Sequence, residues 1–217
     1  ADGDSLLLDA PRDTIPDLVK RLNRFRLRSK VTVTDRSADF AIHAAWGDPA
    51  VVPDAILAQD PRLDAAGTRI LAHARLPGSH DAVPYLSHRL ALGLPDHADL
   101  EPEKTLLMEA GFGELHGIDW DKGCYMGQEL TARTRYRGLV KRRLVPVNGN
   151  AHLPPPGTPI TAAGRAVGEM RTGLGPRGLA MLRLDGLDLP LHADTVSIEP
   201  DLPDWMILPA RSEVVPT

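Results

Sequence analysis

The chain has 217 residues, of which 42% are hydrophobic and 25% charged, and it carries a formal net charge of −4 at pH 7. A chain of this size can bury one sizeable core or two modest ones. Its single cysteine excludes an intramolecular disulfide, its net charge gives no overall reason to expect nucleic-acid binding, and no apolar run reaches the roughly 18 residues of a membrane helix.

The first part of the chain is predicted to mix strands and helices. A buried strand at 6–8 is followed by a helix that starts near Pro16, because apolar residues recur there at helical spacing. A second helix is predicted at 84–92, whereas 48–68 is rich in Pro, Asp and Gly and indicates mostly connections. Further strands are predicted at 31–34, 40–42 and 69–74. This order fits a ferredoxin-like half-unit.

Beyond residue 140 the pattern changes to short apolar runs separated by Gly, Pro and Asn. Such spacing is typical of a small antiparallel barrel or sandwich. The runs cover 144–147, 158–161, 166–170, 179–184 and 195–198. We therefore predict an α+β chain with two domains, an α+β domain at 1–140 and an all-β domain at 141–217.

Two candidate motifs do not support a ligand site. Residues 173–178 match G-x-G-x-x-G letter for letter, but a dinucleotide site needs a helix after the glycines. Because 179–184 indicate a strand instead, we predict a hairpin loop. The eight histidines show no paired spacing, and with one cysteine they form no zinc ligand set.

The segment 122–129, KGCYMGQE, carries the only cysteine of the chain, Cys124. A thiolate is the nucleophilic and metal-binding form of cysteine, and both Lys122 and a following helix start would favour it. Gly123 and Gly127 allow positive φ or close approach of a ligand. A buried cysteine acting as a small hydrophobe in a tight turn is the alternative, and the residues alone leave both open.

KGCYMGQE resembles the signature K-G-C-[FY]-x-G-Q-E of the YgfZ-type folate-binding proteins. These are relatives of the glycine-cleavage T-protein, an aminomethyltransferase, and they serve iron–sulfur cluster assembly and repair. The resemblance continues at 107–111, 115–120, 131–133 and 137–143. It implies a ferredoxin-like, T-protein-type folate-binding domain, whose N-terminal part we expect to be missing here, followed by a small antiparallel β-barrel. It also implies that Cys124 is the active residue, within a motif formed by Lys122, Gly123, Tyr125, Gly127, Gln128 and Glu129.

The resemblance further implies tetrahydrofolate or a derivative as cofactor. Tyr85 stands where relatives carry a tryptophan that lines the folate cavity, and Glu109 lies in the stretch that faces the cofactor in T-proteins. Arg133 and Arg137 begin the basic run 133–143, which could bind the glutamate tail of a folate, because guanidinium groups bind carboxylates in bidentate fashion. A solvated helix face, with a Glu129–Arg133 pair, and a non-specific RNA contact are the alternatives for this run.

A 4Fe–4S cluster normally takes four cysteine thiolates, so this chain could contribute only Cys124, as one ligand of a transient cluster shared with a partner. We therefore predict a folate-binding factor for 4Fe–4S cluster assembly or repair whose partner is an A-type scaffold protein. The alternatives are a tetrahydrofolate-dependent aminomethyltransferase and a non-catalytic folate-binding or tRNA-modification accessory protein. We expect a monomer without membrane or nucleic-acid partners, cytoplasmic in a bacterium or in the mitochondrial matrix of a eukaryote.

Overall fold

The computed structural model describes residues 5–47, 51–136 and 140–208. The N-terminal part contains three helices and three strands. They are α1 (Ile15–Phe25), β1 (Ala41–Ala45), β2 (Ile56–Gln59), β3 (Thr68–Ala72), α2 (Ala82–Ala91) and α3 (Gln128–Tyr136). Six strands follow. They are β4 (Arg142–Gly149), β5 (Pro159–Ala162), β6 (Arg165–Leu174), β7 (Arg177–Arg183), β8 (Leu191–Ala193) and β9 (Val196–Pro200).

The C-terminal strands close into an antiparallel barrel in the order β4-β7-β6-β5-β8-β9. Closure pairs every strand on both sides, so the barrel exposes no sheet edge. Its interior is filled by aliphatic side chains from all six strands, among them Val145, Ile160 and Met170, which are fully buried. The prediction of a small antiparallel barrel is confirmed. The three-residue strand β8 was not predicted, because a run that short has no recognisable period.

Residues 173–178 form the hairpin between β6 and β7. Leu174 pairs with Arg177, which leaves a turn of two residues, and Gly175 adopts φ +61°, in the left-handed region that favours glycine. Gly178 lies on β7, where a Cβ would stand 2.8 Å from the carbonyl oxygen of Thr172. Gly175 therefore serves the turn and Gly178 the close approach of two strands, and the predicted hairpin loop is confirmed.

The N-terminal strands form a three-stranded antiparallel sheet in the order β1-β3-β2. The strands predicted at 40–42 and 69–74 are confirmed as β1 and β3, whereas β2 lies within the segment predicted to be mostly connections. The strands predicted at 6–8 and 31–34 are wrong, and Leu6 is 80% exposed. A strand needs a continuous row of hydrogen bonds to a neighbour, and the described chain has only an isolated bridge at Ser5 beside the first run and no strand in either run. The T-protein-type assignment of 1–140 and the division at 140 stay predictions.

Both predicted N-terminal helices are present. α1 carries Pro16 in its first turn, and none of its residues is buried. α2 begins after Asp81, whose carboxylate accepts a hydrogen bond from the backbone N–H of Val83 at 3.1 Å. Leu90 of α2 packs into a cluster with Leu144, Leu179 and Met181 of the barrel. α2 is therefore attached to the outside of the barrel through its apolar side.

The turn-rich segment 96–118 is bound to the barrel by ion pairs. Asp99 is fully buried, accepts from Arg89 of α2 at 2.8 Å and also accepts from the backbone N–H of Thr172 on β6 at 3.2 Å. Glu114 accepts from Arg143 of β4 at 2.8 Å. These contacts join the segment that leads into KGCYMGQE to the barrel.

Candidate functional site

Cys124 is exposed, in a loop whose two ends are held by side-chain hydrogen bonds. The Asp119 carboxylate accepts from the backbone N–H groups of Asp121 at 2.9 Å and of Lys122 at 3.1 Å. The side-chain carbonyl of Gln128 accepts from the backbone N–H of Tyr125 at 3.3 Å. Cys124 therefore lies between two hydrogen-bonded turns, and the alternative of a buried cysteine acting as a small hydrophobe does not apply.

The predicted helix after the motif is present as α3, and it begins at Gln128, four residues beyond Cys124. The Lys122 ammonium lies 4.7 Å from the centroid of the Tyr125 ring. Gly127 adopts φ +87°, which explains the glycine at that position. A Cβ on Gly123 would meet nothing within 4 Å, so packing does not require a glycine at that position.

Two exposed apolar side chains follow the cysteine in the sequence. Met126 is 78% exposed and Leu130, four residues further on, is 55% exposed. Leu130 is in the first turn of α3, and Met126 lies in the turn just before the helix. Glu129 pairs with Arg133 on the same helix. An exposed thiol in a segment with exposed apolar side chains is suited to contact with another protein.

The basic run 133–143 does not form one surface. Arg135 stacks over the Trp120 ring at 4.0 Å, while Arg142 and Arg143 belong to β4 and bind Glu109 and Glu114. Successive strand residues point to opposite faces, which is why neighbouring arginines reach different acids. Arg137 lies outside the described residues.

Glu109 is buried and its carboxylate is already bound. Its two oxygens accept from Arg142 at 2.7 and 3.2 Å, and one of them also accepts from the backbone N–H of Leu106 at 3.0 Å. The hydrogen bond to Glu109 raises the pKa of the Arg142 guanidinium above its ordinary value. Glu109 therefore joins the 96–118 segment to the barrel, and its contact with a folate stays a prediction.

Tyr85 lies on α2 in a separate aromatic cluster. Its hydroxyl accepts from Arg69 at 3.2 Å, and the same guanidinium lies 5.1 Å from the centroid of the ring. Trp46 lies beside it at 6.5 Å and stacks on the His88 ring at 4.4 Å. Sequence reasoning missed Trp46 and Arg69. Trp46 directly follows β1, and only the pairing of β1 with β3 brings these side chains near α2.

The predicted site residues therefore lie in separate local networks around Cys124, Glu109 and Tyr85. A cavity of about 310 Å³ between α2 and the β6–β7 hairpin contains none of them. It is lined by Ser87, Leu90, Asn148, Leu174, Pro176 and Arg177. Within the described ranges, no three His, Cys, Asp or Glu side chains are grouped to hold a metal ion. No helix in that same part of the chain is long and apolar enough to cross a membrane.

The barrel domain matches a known family. Residues 141–207 match the family described as CAF17, C-terminal beta-barrel domain, and this range contains all six barrel strands. The chain therefore carries a C-terminal β-barrel of the CAF17 type.

Nearly the whole chain is also similar to proteins named iron-sulfur cluster assembly factor IBA57. It is 35% identical to the mitochondrial protein of Homo sapiens over 92% of this chain. It is 33% identical to the Mus musculus protein over 93% of the chain and 33% identical to the Mycosarcoma maydis homolog over 95%. The chain spans 64% of the length of the human and mouse proteins and 62% of the fungal one.

These relatives are named iron–sulfur cluster assembly factors, which is the class of protein that the KGCYMGQE motif suggested. They are named mitochondrial proteins, which agrees with the organelle expected for a eukaryotic chain. Folate binding, the role of Cys124 and the A-type partner stay predictions.

Proposed function

We propose that this chain acts in 4Fe–4S cluster assembly or repair, with Cys124 as a ligand to a cluster that a partner protein also holds. One observation carries the proposal: the only thiol of the chain is exposed, on a loop held by side-chain hydrogen bonds at both ends. A loop of this kind can present a thiolate without first becoming ordered, which lowers the entropic cost of binding. The similarity to the IBA57 factors supports the same function.

The chain has one thiolate to offer, so the cluster is a substrate that passes through a shared site. Ligand exchange would release the Cys124 proton, form one Fe–S bond and break one bond between the partner or solvent and iron. No electron is transferred in this step. The partner must supply the remaining thiolates, and an A-type scaffold protein is the partner we propose. The exposed side chains of Met126 and Leu130 provide apolar contact area beside the thiol.

The proposal also includes a reduced folate, with Tyr85 as a stacking residue and Arg133 and Arg137 as contacts for its anionic tail. Tyr85 fits this role in part, because its ring is only half-buried, although Arg69 lies over it. Glu109 fits less well, since a pterin would have to displace Arg142 from its carboxylate. No step of cluster transfer is routed through the folate.

The folate part is tested by titrating tetrahydrofolate against the wild type, Tyr85→Ala and Arg133→Ala under anaerobic conditions at several salt concentrations. Binding through a ring and a charged tail predicts weaker affinity in both variants, with a smaller salt dependence in Arg133→Ala. Equal affinity in all three proteins would remove Tyr85 and Arg133 from the site.

The main experiment is anaerobic reconstitution with iron and sulfide, read by visible absorbance, with and without an A-type scaffold. We compare wild type with Cys124→Ser and with the control Asp185→Asn. Asp185 is an exposed residue between β7 and β8 of the barrel. We expect a signal that needs both the scaffold and Cys124 and that is unchanged in the control. A signal indifferent to Cys124 would refute the ligand role and favour folate-dependent one-carbon transfer.

A further inference from the structure

We infer that Trp120 and Arg135 form a clasp that fixes the orientation of the Cys124-bearing segment, residues 120–135, on the barrel. The two side chains are positioning residues for Cys124, and the consequence for cluster transfer rests on the proposed function. The clasp joins the two ends of the segment, because Trp120 precedes the KGCYMGQE motif and Arg135 lies in the last turn of α3.

The clasp consists of a guanidinium stacked on an indole. The central carbon of Arg135 lies 4.0 Å from the centroid of the Trp120 ring, close contact for a cation–π pair. Arg133 and Arg142 both bind carboxylates, but in the described ranges no carboxylate pairs with Arg135. A planar guanidinium stacks on an indole better than an ammonium does, so arginine suits this position.

The clasp is connected to the barrel through a continuous set of contacts. A Cβ on Gly113 would lie 3.6 Å from the Trp120 ring and 3.5 Å from the sulfur of Met108, so the indole packs on this part of the turn segment. The next residue, Glu114, accepts from Arg143 of β4 at 2.8 Å, and that arginine is only 2% exposed. Barrel, turn segment, indole and helix are therefore linked in series.

α3 depends on such a link more than an ordinary helix does. It has 9 residues, and Thr134 is its one buried residue. Isolated helices shorter than about 12 residues are marginal in water, and most helix stability in proteins comes from an apolar face that α3 lacks. Its attachment at Trp120 therefore contributes a large part of what keeps the segment in place.

The test compares wild type, Arg135→Ala, Arg135→Lys and Trp120→Phe with Arg183→Ala, which removes an exposed arginine from the barrel. Hydrogen exchange of peptides from 121–136 is measured against barrel peptides in the same protein. We expect exchange about fivefold faster in 121–136 for Arg135→Ala, with smaller changes for the two conservative variants and none for Arg183→Ala. Unchanged exchange in Arg135→Ala overturns the clasp.

The positioning role is tested by two further measurements on the same variants. Because Cys124 is the only cysteine, iodoacetamide labelling measured by mass spectrometry reports this thiol alone. We expect Arg135→Ala to keep its labelling rate or increase it and to lose at least half of the scaffold-dependent cluster signal, with partial rescue in Arg135→Lys. An undiminished cluster signal overturns the positioning role. If the wild-type signal does not depend on Cys124, the proposed function fails, and hydrogen exchange alone decides whether the clasp exists.

Discussion

Replacing Asp99 by asparagine should remove a large part of the stability of this chain. The Asp99 side chain is 0% exposed, and three donors reach it: Arg89 at 2.8 Å, the backbone N–H of Asp96 at 2.8 Å and the backbone N–H of Thr172 at 3.2 Å. Asparagine has the same shape but only one acceptor oxygen. If that oxygen serves Arg89 and Asp96, the amide NH₂ faces the N–H of Thr172, donor against donor.

The magnitude follows from the burial of the pair. Arg89 would keep its charge at 5% side-chain exposure, and the other nearby carboxylate, Asp96, lies 3.8 Å away and is half exposed. Breaking a buried ion pair costs about 3–5 kcal/mol. A domain with about 5–15 kcal/mol of total stability would lose about a fifth of it or more.

The assay is urea unfolding of the wild type, Asp99→Asn and Asp185→Asn. With a slope of about 2 kcal/mol per molar urea, the first variant should lower the unfolding midpoint by about 2 M. Asp185 also pairs with an arginine, but both partners are about 60% exposed, so its loss should cost about 1 kcal/mol or less. Equal midpoints for the two variants would show that burial does not set the cost of breaking these pairs.

Two further predictions concern pH and the motif loop. Burial tends to raise the pKa of Asp60, but hydrogen bonds from Arg62 outweigh it and lower that pKa below its ordinary value. Asp60 should therefore stabilise the fold above about pH 4 and lose this contribution as the pH falls further, so the difference in unfolding free energy between wild type and Asp60→Asn should shrink between pH 6 and pH 3. A difference that is constant with pH would contradict this. Gly127→Ala should speed hydrogen exchange in 121–136, because φ is +87° there, whereas Gly123→Ala, with open space around it, should not. Exchange at the wild-type rate in both variants would show that the loop tolerates a side chain at either glycine.

Features that depend on neighbouring residues in the chain could be predicted from the sequence. The hairpin at 173–178 needs only a glycine in the turn and apolar residues on each side, and it is present. The α1 helix near Pro16 and the short strands of the barrel were recognisable for the same reason. The KGCYMGQE motif and its lone cysteine indicated the class of relatives, because the resemblance depends on residue types and not on their contacts.

Only the tertiary structure decided what the charged side chains do. Arg135, Arg142 and Arg143 look alike in the basic run, yet one stacks on Trp120 and the other two pair with Glu109 and Glu114. The apolar run at 6–8 resembled a strand, but in the described chain pairing is limited to an isolated bridge at Ser5 and the run forms no strand. A residue's type and spacing set its local preference, whereas its partner depends on which distant segment the fold brings within a few ångströms.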